Sequence, residues 1–286
     1  MIYCQNCETQ YKGNYCPECG QSANEFNKPI KFLFVDIVGN IFAFDTRFWK
    51  TIVSLIFKPG TLTANYVQGQ RARYMPPFRL YIFTSFLVFL LLSVYVNNEV
   101  EIDEGSRTEI NSTLKKKLED DATVLNSRKV QTQKQKKEAD KKKLIETALK
   151  VVDNPSQYLN RYIKYVSWSM FLLMPIYGFY LWLFFFRSKR YYYSHLIFAL
   201  NQHSFVFLFF MGLISLQLLW PNRNAHPEFY LGSIVPIYLY LGARKFYNKR
   251  WFATLFRLFL IGVLYSLTLF MALIAILGIW AQNQLG

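Results

Sequence analysis

The chain has 286 residues, of which 52% are hydrophobic and 19% aromatic, a composition too apolar for a typical soluble domain. Its formal net charge is +15, and residues 165–286 contribute nine basic side chains against one acidic one. This basic excess lies beside apolar segments, which favours anionic lipid headgroups as partners and argues against nucleic acid. We therefore expect a membrane protein.

The first 24 residues contain all four cysteines of the chain, arranged as two Cys-x2-Cys pairs: Cys4, Cys7, Cys16 and Cys19. Four thiolates at this spacing provide the tetrahedral sulfur set of a structural zinc site, and such a closed set leaves no position for a substrate. Two disulfides are the alternative. We expect no signal peptide and a cytoplasmic location, so we predict a zinc ribbon over residues 1–24 with one structural zinc ion.

Residues 25–79 alternate between apolar and charged positions. Apolar residues recur at helical spacing first between Ile30 and Phe42 and again between Phe48 and Ile56. Two amphipathic helices are therefore expected, lying on the membrane surface or packed on the membrane helices. A basic junction follows, and its Arg71, Arg73 and Arg79 are predicted to contact lipid headgroups.

The remaining apolar segments predict an all-α polytopic membrane protein with about five transmembrane helices. Residues 80–96 form the first predicted crossing, shortly after Pro76 and Pro77, and residues 165–286 form a predicted bundle of four more. The second to fifth crossings are Trp168–Phe186, Phe198–Trp220, Phe229–Ala243 and Leu255–Trp280. The fourth crossing, Phe229–Ala243, is short and contains Gly232 and Pro236.

Residues 97–164 separate the first crossing from this bundle and are rich in Lys, Glu, Asp and Gln. They predict a charged helical loop outside the cytoplasm, either an ordered arm or a solvated spacer. Basic residues concentrate in the loops Arg187–Ile197 and Arg244–Thr254, whereas Pro221–Glu228 and Ala281–Gly286 are poor in them. The positive-inside rule then places the N-terminus in the cytoplasm and the C-terminus outside it.

Three sequence stretches resemble an uncharacterised family of bacterial zinc-ribbon membrane proteins, which is known only as a domain of unknown function. They are YCPECGQ in the ribbon, GQRARYMPPFRLYIFTSF at the junction and YYYSHLIFALNQHSFVF at a later crossing. The second stretch contains the pattern RYxPPxRLYxFxS. The resemblance does not cover residues 97–164. It implies a bacterial inner-membrane protein and no particular activity.

The later crossings contain few polar side chains that could carry chemistry. The exceptions are His195, Asn201, Gln202 and His203 at the beginning of the third crossing. Buried polar groups of this kind serve either as hydrogen-bonding contacts between helices or as the lining of a polar cavity. The chain lacks common nucleotide-binding and hydrolase motifs, which argues against an enzyme.

These observations favour a non-enzymatic scaffold or adaptor whose cytoplasmic zinc ribbon docks a partner protein at the inner membrane. The alternative is a transporter or handling protein for a small molecule or lipid, which would use a polar cavity around His195 and His203. The uncharged crossings argue against ion-coupled transport, because such transport usually needs a carboxylate within the membrane.

Overall fold

The computed structural model describes residues 2–23, 47–102, 116, 155–189, 191–220 and 232–285, and within them the chain is mostly helical. The described residues form two short strands and seven principal helices. The strands are β1 (Ile2–Tyr3) and β2 (Gln10–Tyr11), and the helices are α1 (Phe48–Phe57), α2 (Thr61–Val67), α3 (Pro77–Ile102), α4 (Pro155–Phe185), α5 (Tyr192–Leu219), α6 (Ile234–Tyr247) and α7 (Trp251–Leu285).

Four of the described helices are long and apolar enough to cross a membrane, which indicates a multi-pass membrane protein. Their candidate spans are Pro77–Asn98, Leu159–Phe185, Tyr192–Leu219 and Trp251–Ile276. The prediction of an all-α membrane protein is thus confirmed. Each span begins nearer the N-terminus than expected, because the helix continues into flanking polar and aromatic residues.

The fourth predicted crossing, Phe229–Ala243, corresponds to α6, which has 14 residues. A helix of that length is about 21 Å long, whereas a hydrocarbon core is about 30 Å thick. Residues 221–231, which precede α6, lie outside the described residues, so this crossing stays a prediction. The predicted amphipathic helix between Ile30 and Phe42 also lies outside them, as do residues 103–115 and 117–154 of the predicted loop at 97–164. The described ends of that loop continue the helices α3 and α4.

The chain divides into two compact units, and three helices run from one unit into the other. The first unit comprises Met1–Val88 and Phe171–Leu267, and the second comprises Phe89–Met170 and Thr268–Gly286. Within the second unit, Asn160 joins α4 to α3 by accepting a hydrogen bond from Ser93 and donating one to Asn97, at 2.8 and 2.7 Å.

In the first unit, α1 and α2 form a helical hairpin around the sequence Lys58-Pro59-Gly60. Pro59 follows the end of α1, where a proline stops a helix, and Gly60 has the left-handed φ of +75°. The hairpin packs against α5, and α2 also contacts α6. Its core includes Ile52 and Leu55 from α1, Leu62 and Tyr66 from α2, Phe205 from α5 and Tyr238 from α6.

The junction, residues 68–76, connects this hairpin to α3. Pro77 is the first residue of α3, where the missing backbone N–H costs nothing, as the sequence predicts. Thr51 of α1 holds the end of the junction, because its hydroxyl accepts a hydrogen bond from the backbone of Met75 at 2.9 Å. The hairpin, the junction and the beginning of α3 are therefore connected by packing as well as by sequence.

Candidate functional site

The N-terminal head, residues 2–23, consists of two similar knuckles. In the first, Glu8 N–H donates to Cys4 O and Cys4 N–H donates to Thr9 O; in the second, Gly20 and Cys16 repeat this arrangement with Gln21. The residue after each Cys-x2-Cys pair is left-handed, with φ of +65° at Glu8 and +70° at Gly20. Each turn thereby brings its two cysteines to the same side of the head.

The two knuckles bring all four cysteine sulfurs together. The sulfurs lie within 4.8 Å of one another, with Cys4–Cys19, Cys7–Cys16 and Cys7–Cys19 separations of 3.5, 3.4 and 3.6 Å. A tetrahedral zinc ion with Zn–S bonds of about 2.3 Å requires sulfurs about 3.8 Å apart, so the residues present fit such an ion. The cluster is capable of binding a metal ion, and zinc as its identity stays a prediction.

The thiols of this cluster differ in their acidity. Hydrogen bonding with the side chain and backbone of Thr9, whose hydroxyl lies 3.4 Å from the sulfur, lowers the pKa of Cys7 to about 6. Desolvation raises the pKa of Cys19 to about 12, because the charged form loses its hydration. A metal ion at this position would displace the Cys19 proton, since metals bind the thiolate.

Gln21, directly after the second knuckle, attaches the head to the junction. Its side chain is buried, and its Nε2 donates to Gly69 O at 2.8 Å while its Oε1 accepts from the backbone of Ala72 at 3.2 Å. Arg47 also donates to the junction, to Ala72 O at 2.8 Å. The sequence pattern does not single out Gln21 as a contact residue, although its place immediately after the cysteine turn indicates that it belongs to the knuckle.

The three arginines predicted to contact lipid headgroups occupy different environments. The Arg71 guanidinium carbon lies 5.7 Å from the ring centroids of both Tyr66 and Tyr193, as in a cation–π contact. Arg73 is exposed, and Arg79 on α3 is half-buried. Their predicted contact with lipid headgroups stays a prediction.

The four polar residues of α5 make separate hydrogen bonds to different parts of the first unit. His195 is fully buried, and its ring nitrogens contact the Tyr247 hydroxyl at 2.9 Å and Lys189 O at 2.8 Å. The ring nitrogens of His203 contact Ala199 O at 2.9 Å and the Tyr265 hydroxyl at 3.0 Å. Both histidines therefore have a partner at each nitrogen.

The two amides of α5 also connect it to its neighbours. Gln202 accepts a hydrogen bond from Tyr177 at 2.8 Å and donates to Leu239 O at 3.3 Å. Asn201 donates to the Thr63 hydroxyl at 2.9 Å, and its buried Oδ1 has no hydrogen-bond partner among the described residues. These contacts are of the interhelical kind, and nothing in the sequence identified Thr63 or the tyrosines as the partners.

Comparison with known proteins finds a family model that matches part of the chain. A family described as "Protein of unknown function (DUF3667)" matches residues 45–89, which comprise α1, α2, the junction and the beginning of α3. No curated protein and no solved structure matches the chain. The match agrees with the expected resemblance to an uncharacterised family over this stretch, and it names no activity.

Proposed function

We propose that this protein is a non-enzymatic scaffold whose head binds one structural zinc ion and holds a partner protein at the membrane. The observation that carries the proposal is the attachment of the head through Gln21, which hydrogen-bonds to both Gly69 and Ala72. A head fixed in this way presents a defined surface beside the membrane helices. Preorganisation of this kind lowers the entropic cost of binding.

The exposed side chains of the head suit a protein partner. Ile2, Tyr3 and Tyr15 expose 46%, 65% and 68% of their surfaces, and aromatic side chains are enriched at protein interfaces. The cysteine set has no further position for a substrate once four sulfurs bind one ion. These features favour docking over catalysis.

The charge distribution supports a head on the cytoplasmic side of a bacterial inner membrane. Lys189 lies 5.3 Å from the Phe246 ring, and Ser188 donates to Tyr247 O at 2.5 Å, so the basic segments near residues 187 and 244 meet. Arg71 joins the same end of α5 through Tyr193. Positive charge gathered on one side marks the cytoplasmic face and attracts anionic lipid headgroups.

The test is crosslinking in native membranes followed by mass spectrometry. Four forms of the full chain are compared: the unchanged protein, Cys4→Ser/Cys7→Ser, Gln21→Ala and the exposed head variant Lys12→Ala as a matched control. We expect a cytoplasmic protein that crosslinks to the unchanged chain and to the control and is lost from both other variants. An identical partner set in all four would remove the support for a docking head.

A further inference from the structure

Helix α1 is apolar on the side that faces away from the protein as well as on the side that packs. Thr51, Ile52 and Leu55 are buried against the rest of the first unit. On the opposite side, Trp49, Val53 and Phe57 expose 74%, 52% and 75% of their surfaces. A helix that is hydrophobic nearly all round is typical of apolar surroundings rather than of a water-facing surface.

The depth of this helix follows from its contacts with α5. Phe205 of α5 stacks on Tyr238 with ring centroids 3.4 Å apart and planes at 5°, and the Tyr238 hydroxyl donates to Leu55 O of α1. Phe205 lies 13 residues beyond Tyr192, which is about 20 Å along a helix. We call the end of α5 next to Arg187 and Lys189 its basic end. Through Tyr238, Leu55 is level with Phe205, about 20 Å along α5 from the basic end.

That point lies within the hydrocarbon region of a membrane. The 28 residues of α5 extend about 42 Å, about 12 Å more than a hydrocarbon core of about 30 Å. Even if all of this excess lies at the basic end, Phe205 is still about 8 Å inside the hydrocarbon. An equal division of the excess places it closer to the middle of the bilayer.

A contact with α3 gives the same result independently. The Phe48 ring at the beginning of α1 packs edge-to-face on Phe83, with centroids 5.4 Å apart. Phe83 lies six residues beyond Pro77, about 9 Å into the candidate span Pro77–Asn98. The Phe48 ring and the Leu55 end of α1 are therefore level with the interior of membrane-spanning helices, while Thr51 between them bonds the backbone of Met75 just before α3.

The hairpin turn returns toward the basic end of the unit. Gly60 lies against Gly242, two residues before Arg244, and Thr63 of α2 is bonded to Asn201, about 13 Å from Tyr192. Tyr66, one turn later, is beside Arg71 together with Tyr193 at the basic end itself. The chain thus enters and leaves the membrane interior on the side of the basic end.

We propose that α1 is embedded in one leaflet of the membrane, on the basic side, with Trp49, Val53 and Phe57 in contact with lipid acyl chains. Its hydrogen bonding suits that position, because the Leu55 carbonyl, which has no partner within the helix, receives the Tyr238 hydroxyl. Lys50 and Lys58 are exposed and can extend their ammonium groups toward the headgroups. This position of α1 does not depend on partner docking by the head.

Fluorescence quenching in vesicles tests this position directly. The full chain and Trp49→Phe are reconstituted in lipids brominated on their acyl chains, and the difference between the two isolates Trp49 from the other tryptophans. We expect this difference signal to be quenched strongly by the brominated chains and hardly by iodide in the water. Strong quenching by iodide without quenching by the lipids would overturn the proposal.

A pair of charge insertions gives a second measurement. Val53→Glu and Lys12→Glu both place a carboxylate at an exposed position, the first on α1 and the second on the head. If α1 is in acyl chains, Val53→Glu reduces the yield of folded, membrane-inserted protein several-fold while Lys12→Glu leaves it unchanged. Equal yields for the two variants would show that both positions face water and would contradict the proposal.

Discussion

Gly60 and Gly242 lie against each other with no side chain between them. A Cβ on Gly60 would overlap the Gly242 carbonyl oxygen and would come within 3.1 Å of its carbonyl carbon and Cα. Gly60 also has the left-handed φ of +75° that disfavours other residues. This contact lets the turn between α1 and α2 approach the backbone of α6.

Gly60→Ala is therefore expected to destabilise the protein by at least about 2 kcal/mol, since it combines a left-handed backbone with a steric overlap. Thermal unfolding in detergent micelles measures the effect. Gly242→Ala should cost less, because its Cβ would lie 3.5 Å from Gly60 N, an ordinary contact. Gly212→Ala, with nothing within 4 Å, is the control, and an equal loss there would contradict the close approach.

Metal analysis of the purified protein under reducing conditions should find one zinc ion per chain. Cys16→Ser should lower that content to near zero and unfold the head, because structural zinc contributes about 10–16 kcal/mol of apparent binding free energy in small domains. Lys12→Ala changes an exposed side chain of the same head and should keep the metal. A reduced, folded protein without metal would contradict the assignment.

Gln21→Ala should separate attachment of the head from metal binding. The variant removes the hydrogen bonds to Gly69 O and Ala72 N–H, at an expected cost of about 1–3 kcal/mol, but leaves all four cysteines in place. We expect unchanged zinc content together with faster hydrogen exchange at the Ala72 amide. The exposed Gln10→Ala is the matched control, and unchanged exchange in both variants would argue against the attachment.

Tyr247→Phe tests whether His195 is a structural contact. Loss of the hydroxyl leaves Nδ1 of a fully buried imidazole without its partner, which costs about 1–3 kcal/mol. Thermal unfolding of this variant is compared with that of Tyr191→Phe, which alters a residue 74% exposed. Equal thermal unfolding midpoints for Tyr247→Phe and Tyr191→Phe would indicate that the His195–Tyr247 bond contributes nothing to stability.

The Asn201–Thr63 bond is suited to a double-mutant cycle of Thr63→Val and Asn201→Leu. Each single change leaves one buried polar group unpaired, whereas the double change removes both. The double variant should thus be more stable than the sum of the single effects predicts, by about 0.6 to 1.7 kcal/mol. Thr63→Val combined with Ser188→Ala, at an unrelated contact, should be additive.

Sequence patterns with local causes predicted several features. The spacing of Cys4, Cys7, Cys16 and Cys19 predicts a sulfur cluster because two short turns are enough to assemble it, and the sulfurs do lie together. The apolar stretches predict membrane helices because their length must match the bilayer. Pro77 likewise begins α3, since a proline suits the first position of a helix.

The sequence by itself therefore determined the helical membrane class and the cysteine cluster, which depend on composition and on neighbours a few residues apart. Only the tertiary structure decided that Gln21 bonds the junction 48 residues away and that Asn201 bonds Thr63 138 residues away. It also decided that α1 packs on α2 and α5, whereas its apolar pattern suits a membrane surface and a packed helix equally well. Such contacts arise when distant segments pack together, and no periodicity along the chain specifies which side chains will meet.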